Sequence, residues 1–334
     1  MRSYLVKLFF VLVIFAPFGV RADSSMKRIF YFRDGENARQ SLYNHYQSID
    51  ILAPQFYAFN SSGALESKLN TDVISFALAH GVKVMPLITN KAFSKKALTI
   101  LDDKVAVSSA ITSLISEAKN RGYMGYQIDF EQMDLSYKDK FSSFVERLHQ
   151  ALHDSGLILS VAVVAKTTDD PSAYKKDLYQ NLIGAYDYTA LSASSDFVSV
   201  MSYDDPGSKG PVTRFSWLQD VLGYSLRHIP REKISLGIPL YYWKWNDDTS
   251  KLVGIGGYEG LRTAFSRPGV ALGHSPVERS AFLRYIDKSH TYTVWYEDGE
   301  SIKDKINLIK QNNLNGFSAW ALGLEVPDVF TAFN

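Results

Sequence analysis

The sequence predicts an α/β fold, a (β/α)8 TIM barrel in which eight parallel strands alternate with helices. Eight short apolar runs, rich in β-branched or aromatic residues, have the pattern of strands buried on both faces. The runs span residues 28–32, 49–59, 82–88, 125–130, 157–164, 197–203, 234–240 and 316–322. Amphipathic helical patterns lie between them at 105–121, 137–155 and 301–312. Eight is the number of strands that closes a barrel, although a doubly wound open sheet gives a similar alternation.

One connection is several times longer than the usual loop between secondary-structure elements. About seventy residues separate Leu240 from Gly316, and the part at 246–297 carries apolar segments of its own. A loop of that length without structure would be unusual in a compact domain. We therefore expect a small α+β insertion after strand seven, beside the end of the barrel where active sites lie.

The composition describes an ordinary globular protein and excludes several function classes. Hydrophobic residues make up 46% of the 334-residue chain and charged residues 21%. The 36 basic residues nearly balance the 35 acidic ones, so nothing indicates a nucleic-acid partner. The chain has no cysteine, which excludes disulfides and thiolate chemistry. The 20 Tyr, 20 Phe and 5 Trp fit either a Phe-rich core or a groove that stacks sugar rings.

The first residues have the pattern of a secretory signal peptide. A basic start precedes a short apolar run at 8–18, and the small residues Val20 and Ala22 take positions −3 and −1 of a cleavage site. The run is too short to span a bilayer comfortably, which disfavours the alternative of a transmembrane anchor. We expect residues 1–22 to be removed. The mature chain, 23–334, would then be periplasmic or secreted, with no stable membrane anchor.

The most informative stretch is the fourth apolar run, extended to residue 131. Alternate side chains of a strand share a face, so Gln127, Asp129 and Glu131 point one way and the apolar residues between them the other. In a barrel these three would enter the lumen, with Glu131 at the C-terminal mouth where catalysis occurs. Buried polar groups cost free energy unless they are paired or used. An edge strand with one solvated face is the alternative.

Two carboxylates on one face suit acid/base chemistry at an acetal. One of them must hold a proton near neutral pH, while the other stays ionised to support positive charge. Glu131 lies at the strand end and close to Asp129. It is therefore the better candidate for the proton donor.

This stretch resembles the D-x-x-D-x-D-x-E signature of glycoside hydrolase family 18, the chitinase-like barrels. The last two acidic positions of the signature match Asp129 and Glu131, whereas Met124 and Gln127 stand at the first two. Spore-germination and cortex-lytic enzymes of the family show a similar departure, with an amide residue at the Gln127 position. The resemblance is therefore to that subgroup.

Other segments resemble the family in the same order along nearly all of the mature chain. They are Val-Met-Ser-Tyr-Asp at 200–204, Gly-Ile-Pro-Leu-Tyr at 237–241, Thr-Val-Trp-Tyr-Glu-Asp at 293–298 and Gly-Phe-Ser-Ala-Trp-Ala-Leu-Gly at 316–323. Each motif is moderately specific when taken alone. The ordered set is strong.

The resemblance implies a retaining, substrate-assisted mechanism, one of the exceptions to the two-carboxylate scheme. Glu131 would protonate the glycosidic oxygen, and the 2-acetamido carbonyl of the sugar would attack the anomeric carbon to give an oxazolinium ion. Asp129 would orient the acetamide and offset the developing charge. Tyr203 would donate a hydrogen bond to the acetamido oxygen. These three residues form the expected catalytic set.

The resemblance also implies residues that hold the sugar, namely Gln127, Asp204, Trp320, Asn90 and Tyr241. Asp204 would help to hold the distorted sugar, and Trp320 would form the floor beneath it. Asn90 resembles a subgroup position near the sugar, although a turn-forming Asn is the alternative. Gln127 replaces an acidic residue, and its neutral amide can still donate to Asp129 and keep it ionised.

No metal or organic cofactor is implied. His149 and His153 lie four residues apart on a predicted helix, a spacing that suits a metal ion. That helix would belong to the outer ring of the barrel, and a third ligand is not evident. We therefore interpret the two residues as surface histidines and not as metal ligands.

The sequence thus predicts a monomeric retaining glycosidase that cuts β-linked N-acetylglucosamine in peptidoglycan or chitin-like glycans. Peptidoglycan is preferred because the resemblance is to the cortex-lytic subgroup. A catalytically inactive, lectin-like barrel is the alternative from another class, and Glu131 argues against it. Amino-sugar polymers of a host or a capsule are a third substrate class that stays open.

Overall fold

The computed structural model describes residues 26–60, 64–93, 95–207 and 209–333. The predicted signal peptide, 1–22, lies outside the described residues. Within the described ranges, none of the helices has the length and apolar character needed to cross a membrane.

The strands of the described chain form two sheets, one parallel apart from a short edge strand and one antiparallel. In chain order the strands are β1 (Lys27–Phe32), β2 (Ile51–Pro54), β3 (Tyr57–Phe59), β4 (Leu65–Ser67), β5 (Lys83–Val84), β6 (Leu87–Asn90), β7 (Gly125–Asp129), β8 (Ile158–Val164), β9 (Phe197–Met201), β10 (Ile234–Pro239), β11 (Tyr242–Asn246), β12 (Lys251–Gly256), β13 (Ala271–Ser275), β14 (Ser280–Asp287), β15 (His290–Tyr296) and β16 (Gly316–Trp320). The α-helices are α1 (Glu36–His45), α2 (Thr71–Ala79), α3 (Lys104–Arg121), α4 (Lys138–His153), α5 (Lys176–Leu178), α6 (Tyr188–Ala193), α7 (Phe215–His228), α8 (Tyr258–Phe265) and α9 (Gly299–Gln311).

The parallel sheet closes on itself as a barrel of eight strand positions. Two of these positions are interrupted: β2 and β3 together form the second, and β5 and β6 the third. β1 pairs with β2 on one side and with β16 on the other. The second and third positions pair twice, β2 with β5 and β3 with β6. From β6 the sheet continues through β7, β8, β9 and β10 to β16, which completes the ring. The predicted barrel is therefore confirmed, and the open sheet is wrong.

The lumen of the barrel changes from apolar to polar toward the mouth. Ile29, Ile51 and Phe197, which lie at or near the starts of their strands, belong to one buried apolar cluster. Four buried serines follow on four neighbouring strands: Ser160 on β8, Ser199 on β9, Ser235 on β10 and Ser318 on β16. The opposite faces of the strands pack on the helices in the main core. A polar layer thus lies directly beneath the mouth of the barrel.

The three helices that the sequence predicted are present, each within two residues of the expected bounds. Their ends have local causes. The side chain of Asp103 accepts hydrogen bonds from the backbone N–H groups of Val105 and Ala106 at the start of α3. Gly122 ends that helix in the left-handed conformation, with a φ of +72°.

An insertion after β10 forms the second sheet, with the strand order β12-β11-β15-β14-β13. Helix α8 packs on it, and the ring of Phe265 lies 5.5 Å from that of Tyr296. The sheet begins at Tyr242, four residues before the bound expected from the sequence. A buried ion pair of 2.6 Å between Lys305 and Glu297 joins the end of β15 to α9.

Candidate active site

A cleft of about 540 Å³ opens at the C-terminal ends of the barrel strands, a volume typical of small-molecule sites. It is lined by six of the residues that the sequence nominated, Asp129, Glu131, Tyr203, Asp204, Tyr241 and Trp320. The other two nominated residues, Gln127 and Asn90, are fully buried behind it. Ile255 and Gly256 at the end of β12 also line the cleft, so the insertion contributes one wall.

Burial raises the pKa of both carboxyl groups of the β7 segment. The pKa of Glu131 is raised to about 7, mainly because the site excludes water and additionally because the Asp204 carboxylate lies nearby. Burial raises the pKa of Asp129 well above its usual range, and the charge of Glu131 adds to the rise. Two neighbouring carboxyl groups that both resist ionisation hold at least one proton near neutral pH. A general acid requires such a proton.

The backbone around Glu131 is held from two sides. Asn90, the last residue of β6, accepts a hydrogen bond from the Glu131 backbone N–H at 2.9 Å and donates to the Glu131 carbonyl oxygen at 2.7 Å. On the other side, the hydroxyl of Tyr186 donates to the carbonyl oxygen of Phe130 at 2.6 Å. The buried Lys166 in turn donates to the carbonyl oxygen of Tyr186 at 2.6 Å. Asn90 thus supports the backbone of Glu131 from behind the cleft.

Gln127 is bound to the serine layer of the lumen and does not donate to Asp129. Its Nε2 donates to Ser160 Oγ at 2.7 Å and to Ser199 Oγ at 2.8 Å, which uses both amide hydrogens. Ser318 then links Ser199 to Ser235 through hydroxyl contacts of 2.8 and 2.7 Å. The expectation that Gln127 keeps Asp129 ionised by donating to it is therefore wrong.

Two acceptors in this layer have no hydrogen-bond partner among the described residues. They are Gln127 Oε1 and Asp129 Oδ1, both on the lumen face of β7. An unpaired buried acceptor is costly, and substrate or solvent groups that donate to it relieve that cost. The free oxygen of Asp129, whose side chain also lines the cleft, can therefore accept a donor from a bound ligand.

The residues after β9 and β10 meet across the cleft. The hydroxyl of Tyr241 donates to Asp204 Oδ1 at 2.6 Å, and the rings of Tyr203 and Tyr241 are 6.3 Å apart at 80°. Asp204 opens toward the solvent of the cleft. The cleft walls raise the pKa of its carboxyl group, and the hydrogen bond from Tyr241 opposes that rise. The ring of Trp320, at the end of β16, also lines the cleft.

Tyr31, Arg33 and Trp217 are among the lining residues that the sequence did not nominate. Tyr31 is buried, and burial raises its pKa, with the charge of Asp129 adding to the rise. Strand alternation places Tyr31 and Arg33 on one face, and that is the signal that could have found them. Trp217 belongs to α7 and carries no comparable signal.

Metal-binding clusters are absent from the described residues, in which no three His, Asp or Glu side chains converge on one point. His149 and His153 lie on α4, with ring centroids 6.0 Å apart. The nearest carboxylate to His149 is that of Asp196, at 3.7 Å. Neither histidine lines the cleft.

Comparisons with known proteins all point to one family of glycosidases. A family model described as glycosyl hydrolases family 18 matches residues 27–325. The cortical fragment-lytic enzyme of Bacillus subtilis (strain 168) is 27% identical over 308 residues, which cover 87% of this chain and 69% of that protein.

Two solved structures are similar over most of the chain. The chitinase of Chromobacterium violaceum ATCC 12472 has a TM-score of 0.82 at 26% identity, covering 92% of this chain and 98% of that one. The spore cortex-lytic enzyme SleL of Bacillus megaterium QM B1551 has a TM-score of 0.81 at 25% identity, covering 92% of this chain and 73% of that one. The family match includes every barrel strand and the whole insertion, so the chain belongs to glycosyl hydrolase family 18 and is a glycosidase.

Proposed function

We propose that this glycosidase cuts β-linked N-acetylglucosamine with retention of configuration, using the substrate's own 2-acetamido group. The observation that carries the proposal is the pair of carboxyl groups, Asp129 and Glu131, that line one cleft with raised pKa values. Glu131 has a pKa of about 7 and can therefore give up a proton and take it back near neutral pH. Its backbone is fixed, while its carboxyl group faces the cleft.

In the first step, Glu131 transfers its proton to the glycosidic oxygen as the bond to the anomeric carbon breaks. The carbonyl oxygen of the acetamide forms a new bond to that carbon, and the positive charge passes to the oxazolinium ring. In the second step, the Glu131 carboxylate takes a proton from water as the water oxygen attacks the anomeric carbon. The ring opens, configuration is retained, and Glu131 is protonated again.

In this scheme Asp129 binds and orients the acetamide group. Its unpaired Oδ1 is suited to accept the acetamide N–H, which would place an ionised carboxylate beside the charge that develops on the ring. With the pair holding one proton, residence of that proton on Glu131 leaves Asp129 ionised. Tyr203 would donate to the acetamido oxygen, Asp204 would hold the distorted sugar, and Trp320 would form the floor beneath it.

The polymer that we propose is peptidoglycan, in preference to chitin. The support is the likeness to a cortical fragment-lytic enzyme and to a spore cortex-lytic enzyme. Because a chitinase is also similar, chitin is the second substrate to be tested. We further propose that the protein is exported, on the pattern of residues 1–22, and acts as a monomer without metal, cofactor or nucleic acid.

The test compares the mature protein with Glu131→Gln on purified peptidoglycan and on chitin oligosaccharides. Mass spectrometry identifies the released reducing ends, and NMR spectroscopy of the first product identifies the anomer. The proposal expects fragments that end in reducing N-acetylglucosamine in the β-anomeric form, with release lost in Glu131→Gln. Binding to either glycan without release by the wild-type protein would instead establish the lectin-like alternative. Release of the α-anomer would reject retention.

A further inference from the structure

The charges that line the cleft are unbalanced. Three carboxyl groups, those of Asp129, Glu131 and Asp204, are accompanied by one cationic side chain, Arg33, among the described lining residues. Arg33 directly follows β1 and is exposed. A neutral glycan such as chitin offers no group that needs this cation.

Arg33 has no hydrogen bond or ion pair within the described part of the chain. The adjacent carboxylate of Asp34 is paired with other side chains, namely Arg39 at 2.6 Å and Asn70 at 3.1 Å. Three other cations of the loops at this end of the barrel are paired: Lys91 with Glu66, Lys209 with Asp247 and Arg214 with Asp205. Arg33 is therefore a cation that is free to bind a ligand.

Arg33 also lies away from the catalytic carboxyl groups. It follows the first strand position of the barrel, whereas Glu131 follows the fourth, so the two are on nearly opposite sides of the mouth. Asp204 and Glu131 are the charges that shift the pKa values of the β7 carboxyl groups, and Arg33 is not among them. A group bound by Arg33 would thus belong to a unit next to the sugar that is cut.

We propose that Arg33 binds a carboxylate on the sugar unit adjacent to the N-acetylglucosamine being cut, and that it thereby selects acidic glycans over neutral ones. The inference rests on the proposed function. In strands that alternate N-acetylglucosamine with N-acetylmuramic acid, both neighbours of the cut sugar carry a lactyl group, whose carboxylate is either free or amide-linked to a stem peptide with carboxylates of its own. A neighbour that carries this group therefore lies on both sides of the cut sugar, in either direction of binding. The planar guanidinium matches a carboxylate with two parallel hydrogen bonds.

The experiment measures kcat/KM on four tetrasaccharides of equal length. One is a chitin tetrasaccharide, and the second alternates N-acetylglucosamine with N-acetylmuramic acid whose lactyl carboxylates are free. In the third these carboxylates are methyl esters, and in the fourth they carry stem peptides with their own carboxylates. The proteins are the wild type, Arg33→Gln, Arg33→Lys and the control Arg231→Gln. Arg231 is exposed in the turn that directly precedes β10, at the opposite end of the barrel.

The wild-type protein is expected to favour the free acid over the ester about two- to fivefold, the size of an exposed ion pair. That preference should weaken as salt is added. Arg33→Gln should reduce the ratio to about one, Arg33→Lys should keep part of it, and Arg231→Gln should match the wild type. A preference for the peptide-bearing substrate alone, lost in Arg33→Gln, would assign the carboxylate to the stem peptide.

Equal kcat/KM values for the acid, the ester and the peptide form in the wild type would overturn the inference and leave the proposed function standing. The same holds for a preference that survives in Arg33→Gln. Failure to cut any of the four tetrasaccharides would instead reject the proposed function itself. The two failures are therefore distinguishable in one set of measurements.

Discussion

Asn90 holds the backbone of Glu131 by two hydrogen bonds at once. Its side-chain oxygen accepts the Glu131 N–H at 2.9 Å, and its side-chain nitrogen donates to the Glu131 carbonyl oxygen at 2.7 Å. The amide thus copies the pairing that a strand would make and extends the ladder between β6 and β7 beyond the end of β7. The position of Glu131, the proposed general acid, is fixed through its backbone, which leaves its carboxyl group available to a ligand in the cleft.

Asn90→Ala should lower kcat by about ten- to a hundredfold, with a smaller change in KM, because misplacing a catalytic group by a fraction of an ångström slows the chemical step. Losing two buried hydrogen bonds should also cost about 1–3 kcal/mol of unfolding free energy. Steady-state kinetics and urea unfolding measure the two effects.

The control for that variant is Asn70→Ala. Asn70 caps α2 by accepting the Val73 N–H, so its loss should cost about 1 kcal/mol of stability while kcat stays near the wild-type value. A wild-type kcat in Asn90→Ala would show that the two hydrogen bonds from Asn90 do not position Glu131.

Glu131→Gln should stabilise the fold near pH 8 and have little effect near pH 4. The native pKa of about 7 lies above the ordinary value of 4.5, so the native protein binds this proton more tightly than the unfolded chain. The contribution of Glu131 to stability is therefore greatest below pH 4.5 and is lost as the pH rises through 7. A shift of that size corresponds to roughly 3 kcal/mol as an upper value. Glutamine cannot ionise and escapes this cost.

Urea unfolding of both proteins at several pH values checks this prediction. Glu146→Gln is the matched control, since Glu146 is exposed on α4 and its replacement should give the same small difference at every pH. An identical stability difference for Glu131→Gln at low and high pH would contradict the raised pKa.

The strand with the carboxyl groups was predictable because a single segment carries the whole pattern. Alternation alone put Gln127, Asp129 and Glu131 on the lumen face, and the structure agrees. The partners of Gln127 were not predictable. Ser160 and Ser199 are 33 and 72 residues away along the chain, and only barrel closure brings them to the amide. A serine in an apolar strand gives no sign of what it will bind.

The same limit applies to the residues at the mouth. The sequence left Asn90 between a turn and a sugar contact, whereas its position against Glu131 depends on the register between β6 and β7. Arg33 resembles any cation that follows a strand. The neighbouring Asp34 forms an ion pair with Arg39 and not with Arg33. The periodicity of the sequence does not predict such a contact between side chains.

Gln127→Glu should destabilise the fold above neutral pH and recover in acid. A carboxylate of the same length loses both donors to the serines and adds a second buried negative charge on the face of Asp129. Burial beside a like charge raises the pKa of the introduced carboxyl group, so the penalty is present above that pKa and is relieved as the pH falls. We expect a loss of about 2–4 kcal/mol near pH 8, the range for a buried unpaired polar or charged group.

Thermal unfolding at several pH values measures this change. Gln47→Glu makes the same substitution at an exposed position and should have almost no effect. If Gln127→Glu were as stable as the wild type near pH 8, the amide would not be needed to donate to Ser160 and Ser199.

Asp204→Asn should move the basic limb of the kcat/KM profile to lower pH. The wild-type limb is expected near pH 7, where Glu131 loses the proton that it donates in the proposed mechanism. The negative charge of Asp204 favours the protonated form of Glu131, so its removal lowers the Glu131 pKa while Tyr241 can still donate to the new amide oxygen. Rates on a β-linked N-acetylglucosamine oligosaccharide, measured from about pH 4 to 9, give the limb directly. Asp220→Asn, an exposed position on α7, should leave it in place. A limb that stays near pH 7 in Asp204→Asn would mean that a group other than Glu131 supplies the proton, because Glu131 is the carboxyl group whose pKa this charge raises.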